Sequence, residues 1–272
     1  LHPFRRDRKS PMTFTASISE SLDTPDLFQQ RFHSNHYSWD SSFDKVSTTR
    51  IQGSADIPKW RFSASAGYAL LANNVYYDTL GVARQNTSPM SVLSASVRRD
   101  FVIGDLLHLD NSVLLQYSSD QEVLPLPLLA LNLRWYIQFN VVRKDVMQMQ
   151  LGADTRFTTP WYMPSYNPVT GTFMAQNDYA YGNCPVFDLF MNVQWKKACI
   201  FIKWENAGRG WPSNKRDYFS AHRYISTDRE IKFGIWWPFY VSSKQQKTMS
   251  ARAGSGVSGG GGGLGGFSNI GR

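Results

Sequence analysis

The sequence has no long hydrophobic run. Among its 272 residues no stretch of about 18 consecutive apolar residues occurs, which excludes a transmembrane helix. Charged residues are also scarce, at 18% of the chain compared with about a quarter in average soluble domains. Uncharged Ser, Asn, Gln and Thr take their place, and this balance suits a barrel with a hydrated lumen.

Cysteine is almost absent, with Cys184 and Cys199 as the only two. A hairpin with its tip at residues 196 and 197 would place Trp195 opposite Ala198. The cysteines would then lie about ten residues apart along the ladder, beyond the reach of a disulfide. We therefore predict free thiols.

The basic balance of the chain does not indicate a nucleic-acid partner. Part of the net charge of +8 lies at the two ends, for example at Arg5, Arg6, Lys244 and Lys247. A nucleic-acid site would need a basic helix or ribbon, and the sequence shows neither. The chain begins at Leu1 without an apolar signal segment, so we expect a mature product or, preferably, a fragment.

The sequence does contain regular alternation of apolar and polar residues. In the segment LLALNLRWYIQF, Leu131, Leu133 and Trp135 fall on one face, whereas Asn132 and Arg134 fall on the other. A period of two is the strand pattern. These alternating segments run for about ten to fourteen residues, long enough for a tilted strand to cross a bilayer. The same split recurs in 107–117, 147–157 and 187–195.

The connections between the predicted strands alternate in length. We predict eleven strands, near 13–19, 28–38, 48–57, 60–71, 90–102, 106–117, 128–139, 146–158, 184–196, 198–206 and 230–240. Short connections fall at Pro58, Gly104, 141–145 and Lys196, and long ones at 72–89, 118–127, 159–183 and 207–229. Outer-membrane barrels sort their connections in this way, with short periplasmic turns and longer external loops.

Aromatic residues lie near the strand ends on the apolar face. At the short-turn end these are Trp60, Phe101, Phe139, Trp195 and Phe239, and at the other end Tyr68, Tyr117, Phe157, Phe187 and Trp204. Such positions are typical of the two aromatic girdles of a membrane barrel. Ordinary enrichment of aromatic residues in strands is the alternative.

The opposite face is predicted to line a lumen. Its candidate lining residues are Arg61, Arg98, Asp110, Asn132, Arg134, Gln148, Gln150, Asp154, Arg156, Asn192, Gln194, Lys203 and Lys232. Basic residues on this face, Lys196 among them, are balanced by acidic ones that include Asp188 and Glu205. Mixed signs predict either a wide, weakly selective pore or an ion-paired interior that narrows or closes it. Both stay open because the pore radius depends on the strand number.

No catalytic, cofactor or metal site is predicted. His108, Asp110 and Ser112 share one face of a strand, as a hydrolase trio could. However, neighbours at i and i+2 are about 6.6 Å apart along the strand, and activation of a nucleophile needs a contact of ~3 Å. His33 and His36 would point to opposite faces of a predicted strand, which disfavours a shared metal.

Three segments resemble a known family. They are LFQQRFHSNHYSWDSSF, EVLPLPLLALNLRWYIQF and WYMPSYNPVTGTFMAQNDYAYGNCPVFDLFMNVQWKKACIFIKWEN. The most specific parts are SNHYSW and the stretch from YNPVTGTFMAQN to GNCPVFD. They are similar to the C-terminal part of the large family described as putative porins of Gram-negative outer membranes, from about Thr13 to Tyr240. The resemblance implies an outer-membrane β-barrel and, because family members are considerably longer, missing N-terminal strands. It implies no catalytic or substrate-binding residues.

We therefore predict an all-β fold, a transmembrane antiparallel up-and-down β-barrel. This chain would contribute about 10 to 12 strands, as part of a larger barrel. Residues 1–241 would form the barrel portion and residues 242–272 a Gly-rich disordered tail. A phosphate-binding glycine loop in this tail is disfavoured because the Lys-Ser/Thr pair is missing.

The predicted function is passive diffusion of small hydrophilic solutes across the outer membrane, without enzyme activity or cofactor. The expected partners are outer-membrane lipid, lipopolysaccharide and these solutes, and the oligomeric state is left open. The long loops WYMPSY and GRGWPSNKRDYF suit binding of sugars or lipopolysaccharide phosphates, or packing over the mouth. Two alternatives are a non-conducting barrel serving secretion, assembly or adhesion, and a soluble glycan-binding β-sandwich.

Overall fold

Ten long strands form one antiparallel sheet. The computed structural model describes residues 11–142, 146–210 and 218–237. Each long strand pairs with its neighbours in chain order, so the sheet is a continuous up-and-down meander. The strands are β1 (Thr13–Asp23), β2 (Val46–Ile57), β3 (Phe62–Ala72), β4 (Met90–Ile103), β5 (Leu107–Ser118), β6 (Leu129–Asn140), β7 (Met147–Thr158), β8 (Val186–Trp195), β9 (Ala198–Glu205) and β10 (Glu230–Trp236). This order confirms the predicted all-β, up-and-down fold class.

The sheet is open within the described part of the chain. Its two edges are β1 and β10, and all eleven residues of β1 are exposed. A spanning strand with an unpaired edge would leave backbone N–H and C=O groups without partners in hydrocarbon. The open sheet of the described residues is thus consistent with part of a larger barrel.

One predicted strand, at 28–38, is wrong. The segment instead contains the helix α1 (Leu27–Gln30) and a small hairpin of Arg31–His33 and Ser38–Asp40. Removing this strand lowers the count from eleven to ten, an even number. The argument about His33 and His36 also changes, because the hairpin separates them and no single strand carries both.

A capping box explains why a helix forms in this segment. The Asp26 carboxylate accepts a hydrogen bond from the Leu27 backbone N–H at 2.7 Å, and Gln29 Oε1 accepts one from the Asp26 N–H at 2.9 Å. Such reciprocal bonds satisfy backbone donors that would otherwise lack partners at the helix start. The helices of the described residues are α1 and a single 3-10 turn at Pro58–Trp60. Neither is long and apolar enough to cross a membrane.

The alternation of short and long connections is confirmed. Because neighbouring strands are antiparallel, the short turns lie at one end of the sheet and the long loops at the other. The short turns are 58–61, 104–106, 141–146 and 196–197, and the long loops are 24–45, 73–89, 119–128, 159–185 and 206–229. Four of these long loops contain a small hairpin in the part that the structure describes, and the one in loop 24–45 was given above. The other three pair Val75–Tyr77 with Ala83–Gln85, Ser165–Asn167 with Thr172–Met174, and Phe219–Ala221 with Tyr224–Ile225.

The strand register sorts apolar and polar side chains onto opposite faces of the sheet. Leu131 lies opposite both Phe157 and Val113, and its neighbour Asn132 lies opposite Arg156. In the β8–β9 hairpin Trp195 pairs with Ala198 and Leu189 with Trp204, as predicted. Both cysteines are free, which confirms the predicted thiols.

Exposure of the two faces is opposite to that of a soluble sheet. On the apolar face Trp135 is 50% exposed and Phe233 is 81% exposed. On the polar face Gln150 is 2% exposed and Asp188 is fully buried. No second large sheet covers the apolar face among the described residues. The β-sandwich alternative requires such a cover, so it does not fit this part of the chain.

The predicted girdle residues of both ends include exposed side chains. Trp60, Phe101 and Trp195 are exposed at the short-turn end, and Tyr68, Tyr117 and Trp204 at the long-loop end. Phe239 lies outside the described residues. The chain divides into the units Leu1–Ile235 and Trp236–Arg272, and of the second only residues 236 and 237 are described. The tail predicted for 242–272 therefore also lies outside the described residues.

Candidate functional site: the polar face of the sheet

The polar face from β4 to β10 carries three layers of side chains between the long-loop end and the short-turn end. The first, which we call the charged layer, consists of Arg98, Asp110, Arg134, Asp154, Arg156, Asp188, Lys203, Glu205 and Lys232. The second, the aromatic layer, consists of His108, Tyr136 and Phe190. The third, the amide layer, consists of Gln138, Gln150 and Asn192. The layers follow from the register, because Arg134, Tyr136 and Gln138 succeed one another on β6 and lie opposite Asp154, Gly152 and Gln150 of β7.

Asp188 is the most enclosed member of the charged layer. Its buried carboxylate accepts a hydrogen bond from the Asn206 backbone N–H at 2.8 Å. Arg156 Nη2 lies 3.1 Å and Lys203 Nζ 2.9 Å from the same carboxylate. A buried charge is tolerated only when it is paired and hydrogen-bonded, and Asp188 meets both conditions.

Lys203 resolves a like-charge contact in this layer. Asp154 and Asp188 are directly opposite each other on β7 and β8, a placement that destabilises a sheet when both are ionised. The Lys203 ammonium lies 2.9 Å from Asp188 and 3.9 Å from Asp154, so one cation offsets both charges. Arg134 adds a second cation, at 3.5 Å from Asp154.

The ion pairs continue toward the edge of the sheet. Lys203 Nζ lies 3.7 Å from Glu205, and Lys232 Nζ lies 2.6 Å from Glu205 and 3.5 Å from Glu230. Along this edge each acidic side chain thus has a basic side chain within ion-pair distance. This arrangement keeps neighbouring charges paired without forming a field of one sign.

An open cavity of about 450 Å³ lies over the charged layer. Its walls combine cations, carboxylates and small polar groups, so it can hold water and polar solutes of either charge. The polar side chains that line it include Arg98, Asp110, Ser112, Asn132, Arg134, Asp154, Arg156, Asp188 and Lys203.

The aromatic layer forms around a glycine. His108 stacks on Tyr136 with ring centroids 4.7 Å apart, and Tyr136 lies 6.3 Å from Phe190. Between these rings, a side chain at Gly152 would clash with the Trp135 carbonyl oxygen and would lie 2.8 Å from the Phe190 ring. Glycine is therefore required where the two aromatic side chains cover the strand.

The amide layer is joined by side-chain hydrogen bonds. Gln150 Nε2 donates to Gln138 Oε1 at 2.8 Å, and Asn192 Nδ2 donates to Gln150 Oε1 at 3.1 Å. This chain of amides links β6, β7 and β8 at the level of the short turns. Because amides carry no net charge, the layer can bind polar groups without selecting their sign.

A second region of the polar face is lined by hydroxyl groups. A cavity of about 250 Å³ over β1 to β4 includes Thr13, Thr15, Ser54, Ser63, Ser65 and Ser96 in its lining. Ser65 and Ser96 share a hydrogen bond of 2.8 Å. The side chains of this hydroxyl region are short and uncharged apart from Asp56, which also lines the cavity.

Twelve of the thirteen predicted lining residues lie on the polar face of the strands, and the exception is Arg61. Arg61 follows the 3-10 turn with a left-handed backbone, at φ 50°, and its carbonyl oxygen accepts a hydrogen bond from the Asp100 N–H. Lys196 also lies in a turn, at φ 52°. The seven predicted residues that line the charged cavity are Arg98, Asp110, Asn132, Arg134, Asp154, Arg156 and Lys203. The other five, outside it, are Gln148, Gln150, Asn192, Gln194 and Lys232.

Sequence reasoning missed two features of the site. Asp188 was assigned to the polar face, but its central position depends on Asn206. This residue follows β9 directly, with φ 52°, and donates its backbone N–H to the carboxylate. The aromatic layer was also missed, although a lone Gly152 within an alternating strand is a signal for close packing.

The trio of His108, Asp110 and Ser112 shares one face as predicted. Within the described residues no hydrogen bond joins these side chains to one another, and His108 instead stacks on Tyr136. Groups of three or more potential metal ligands are likewise not found in the described ranges. The absence of catalysis stays a prediction.

The long loops pack against one another at their end of the sheet. Trp39 lies 6.1 Å from Tyr77, and Tyr166 lies 5.7 Å from Tyr224, in each case between different loops. The buried Tyr181 hydroxyl lies 3.0 Å from His222 Nδ1. Burial and the nearby Arg223 lower the pKa of His222. We call these contacts the loop layer.

Comparison with known proteins identifies a family. The family described as "putative porin" matches residues 3–241. No curated protein matches the sequence. Solved structures with a similar backbone include a mutant of the ferric enterobactin receptor from Pseudomonas aeruginosa, in complex with enterobactin, at 12% identity and a TM-score of 0.46. That match covers 72% of this chain and 33% of the receptor chain, so this chain spans about a third of the receptor's length.

Proposed function

The chain belongs to the putative porin family, and on that premise we propose that it forms part of the wall of an outer-membrane pore for passive diffusion of small hydrophilic solutes. Family membership supports an outer-membrane β-barrel. The apolar face meets lipid, and the polar face supplies water-like contacts to solutes.

The proposal depends on one observation. Opposite charges are paired along the wall of the open cavity over the charged layer. Lys203 contacts Asp154, Asp188 and Glu205, and Arg134 and Arg156 each pair with an aspartate. A wall of this kind hydrates well but has no net field to favour one ion strongly. We therefore expect weak ion selectivity and passage of neutral solutes.

The test is single-channel conductance of the natural full-length protein in planar bilayers. Wild type should give discrete steps, with a reversal potential near zero across a potassium chloride gradient. The double variant Arg134→Gln with Arg156→Gln removes two cations from the cavity and should shift the reversal potential toward cation selectivity. Lys59→Gln, in the 3-10 turn outside the cavity, removes one cation away from it and should leave the potential unaltered, whereas Arg134→Gln alone should shift it.

The loop layer favours a second candidate, a non-conducting barrel for secretion, assembly or adhesion. Contacts between different loops, such as Trp39 with Tyr77, could close the mouth on that side. Complete absence of conductance steps from correctly inserted protein would favour this candidate over the pore. Swelling of protein-containing liposomes in neutral sugars of increasing size gives an independent measurement. The proposed partners are small solutes, outer-membrane lipid and lipopolysaccharide.

A further inference from the structure

The apolar face carries one cation, Arg99, within the described strands. Its neighbour Arg98 points to the polar face, while Arg99 lies opposite Phe62 and Asn111 on the apolar side. The side chain of Arg99 is exposed, and no carboxylate of the described residues lies within ion-pair distance of it. An arginine on the lipid-facing side without a carboxylate partner leaves its positive charge available to an anionic group of the lipid.

The surroundings of Arg99 are amphipathic. Its guanidinium lies 4.6 Å from the centre of the Phe101 ring. Asn111, directly opposite on β5, accepts a hydrogen bond from the Trp135 indole N–H at 3.0 Å. One aromatic ring and one amide thus flank the cation, and the Trp135 indole joins them through Asn111, a composition that suits the boundary between lipid chains and headgroups.

The position along the strand places Arg99 near that boundary. It lies four residues from Ile103, where β4 ends at a short turn. At ~3.3 Å per residue and a strand tilt of ~40°, it stands roughly 10 Å above the turn along the membrane normal. Short turns face the periplasm in bacterial barrels, so Arg99 belongs to the inner leaflet.

We propose that Arg99, with Asn111 and Trp135 beside it, binds the phosphate group of a phospholipid in the inner leaflet. The guanidinium offers five N–H donors in a planar fork that matches phosphate oxygens, and phosphate supplies the missing negative charge. The other charged residue on this face within the ten long strands is Glu20 on β1. It lies three strands away and level with Ser91, which is eight residues or about 26 Å along β4 from Arg99. The inference rests on the outer-membrane barrel and is independent of whether the pore conducts.

The test is native mass spectrometry of the full-length protein in neutral detergent, titrated with phosphatidylglycerol. Diacylglycerol with the same acyl chains serves as the phosphate-free probe and should not be retained. Arg99→Gln should lower the affinity for phosphatidylglycerol about tenfold, because charge-assisted hydrogen bonds are lost. Arg99→Lys should keep part of the affinity, since it retains the charge without the planar fork.

Arg98→Gln is the matched control, since it makes the same change one residue away on the opposite face. It should leave lipid affinity unchanged. Equal affinity of Arg99→Gln and wild type would overturn the proposal, as would an equal loss in both variants. A change in oligomeric state of Arg99→Gln without a change in lipid binding would also overturn it, because Arg99 would then contact a second copy of the chain.

Discussion

The two faces of the same ten strands differ in what holds them together. On the apolar face, side chains such as Leu151 and Leu189 contribute exposed hydrocarbon area and few specific contacts. On the polar face, Asp188 and Gln150 are buried in ion pairs and amide hydrogen bonds. On the apolar face, lipid can contact any apolar side chain. On the polar face, the buried side chains require specific partners for their hydrogen bonds and charges. Substitutions should therefore have face-dependent effects even at adjacent positions.

The largest expected contrast is between Leu133 and Asn132. Leu133→Arg places a charge in the apolar band and should lower the free energy of unfolding by about 2 to 4 kcal/mol. Asn132→Arg places the same charge on the polar face, where water can reach it. This substitution should lower the free energy of unfolding by at most about 1 kcal/mol. The small cost comes from repulsion between the new arginine and the opposing Arg156.

Urea unfolding of both variants in lipid vesicles measures this contrast. Wild type and Asn132→Gln provide the reference for a substitution without added charge. If Leu133→Arg and Asn132→Arg lost equal stability, the assignment of the faces would be wrong.

The faces could be predicted from sequence because they depend on a local period of two. In the β8–β9 hairpin, the apolar identity of Trp195 and Ala198 was enough to give the observed register. The spacing of turns and loops was likewise readable, since each short turn is a local feature. These parts of the fold are fixed by neighbours in the chain.

The strand that was wrongly predicted at 28–38 shows where alternation of apolar and polar residues gives a false prediction. Phe28 and Phe32 lie in a segment that reads as a strand, yet Asp26 and Gln29 form a capping box that starts a helix there. This D-x-x-Q signal is present in the sequence, but the prediction of a strand at 28–38 rested on the apolar pattern alone. Capping chemistry, when it conflicts with alternation over a few residues, deserves the greater weight.

The charged layer could be predicted only in part. Alternation assigned Asp154, Asp188 and Lys203 to one face, but their contacts join three strands across the long loop 159–185. Which carboxylate becomes buried depends on Asn206 closing over Asp188, a backbone contact between distant residues. Sequence alone does not give such non-local distances.

The second prediction concerns the polar face alone. Asp188→Asn keeps the shape of the side chain but removes the charge that pairs with Arg156 and Lys203. The free energy of unfolding should fall by about 1 to 3 kcal/mol, because buried hydrogen bonds to a charged acceptor are weakened. The same urea titration measures it.

Asp56→Asn is the control for this change. Asp56 is exposed on the polar face in the hydroxyl region, so its substitution should alter stability by less than about 0.5 kcal/mol. Similar losses at Asp56 and Asp188 would show that charge alone matters on this face. In that case the enclosed geometry around Asp188 would contribute nothing specific.

The smallest expected effect compares one hydrogen bond on each face. Trp135→Phe removes the indole N–H that donates to Asn111 at 3.0 Å on the apolar face, and Ser65→Ala removes the hydroxyl that bonds Ser96 at 2.8 Å on the polar face. Lipid cannot replace the lost donor, so Trp135→Phe should cost about 1 kcal/mol. Water can solvate Ser96, so Ser65→Ala should cost less than about 0.5 kcal/mol. Double-mutant cycles that combine Trp135→Phe with Asn111→Leu, and Ser65→Ala with Ser96→Ala, measure the coupling energy of each pair. A larger coupling energy for Ser65 and Ser96 than for Trp135 and Asn111 would mean that lipid does not cover the apolar face.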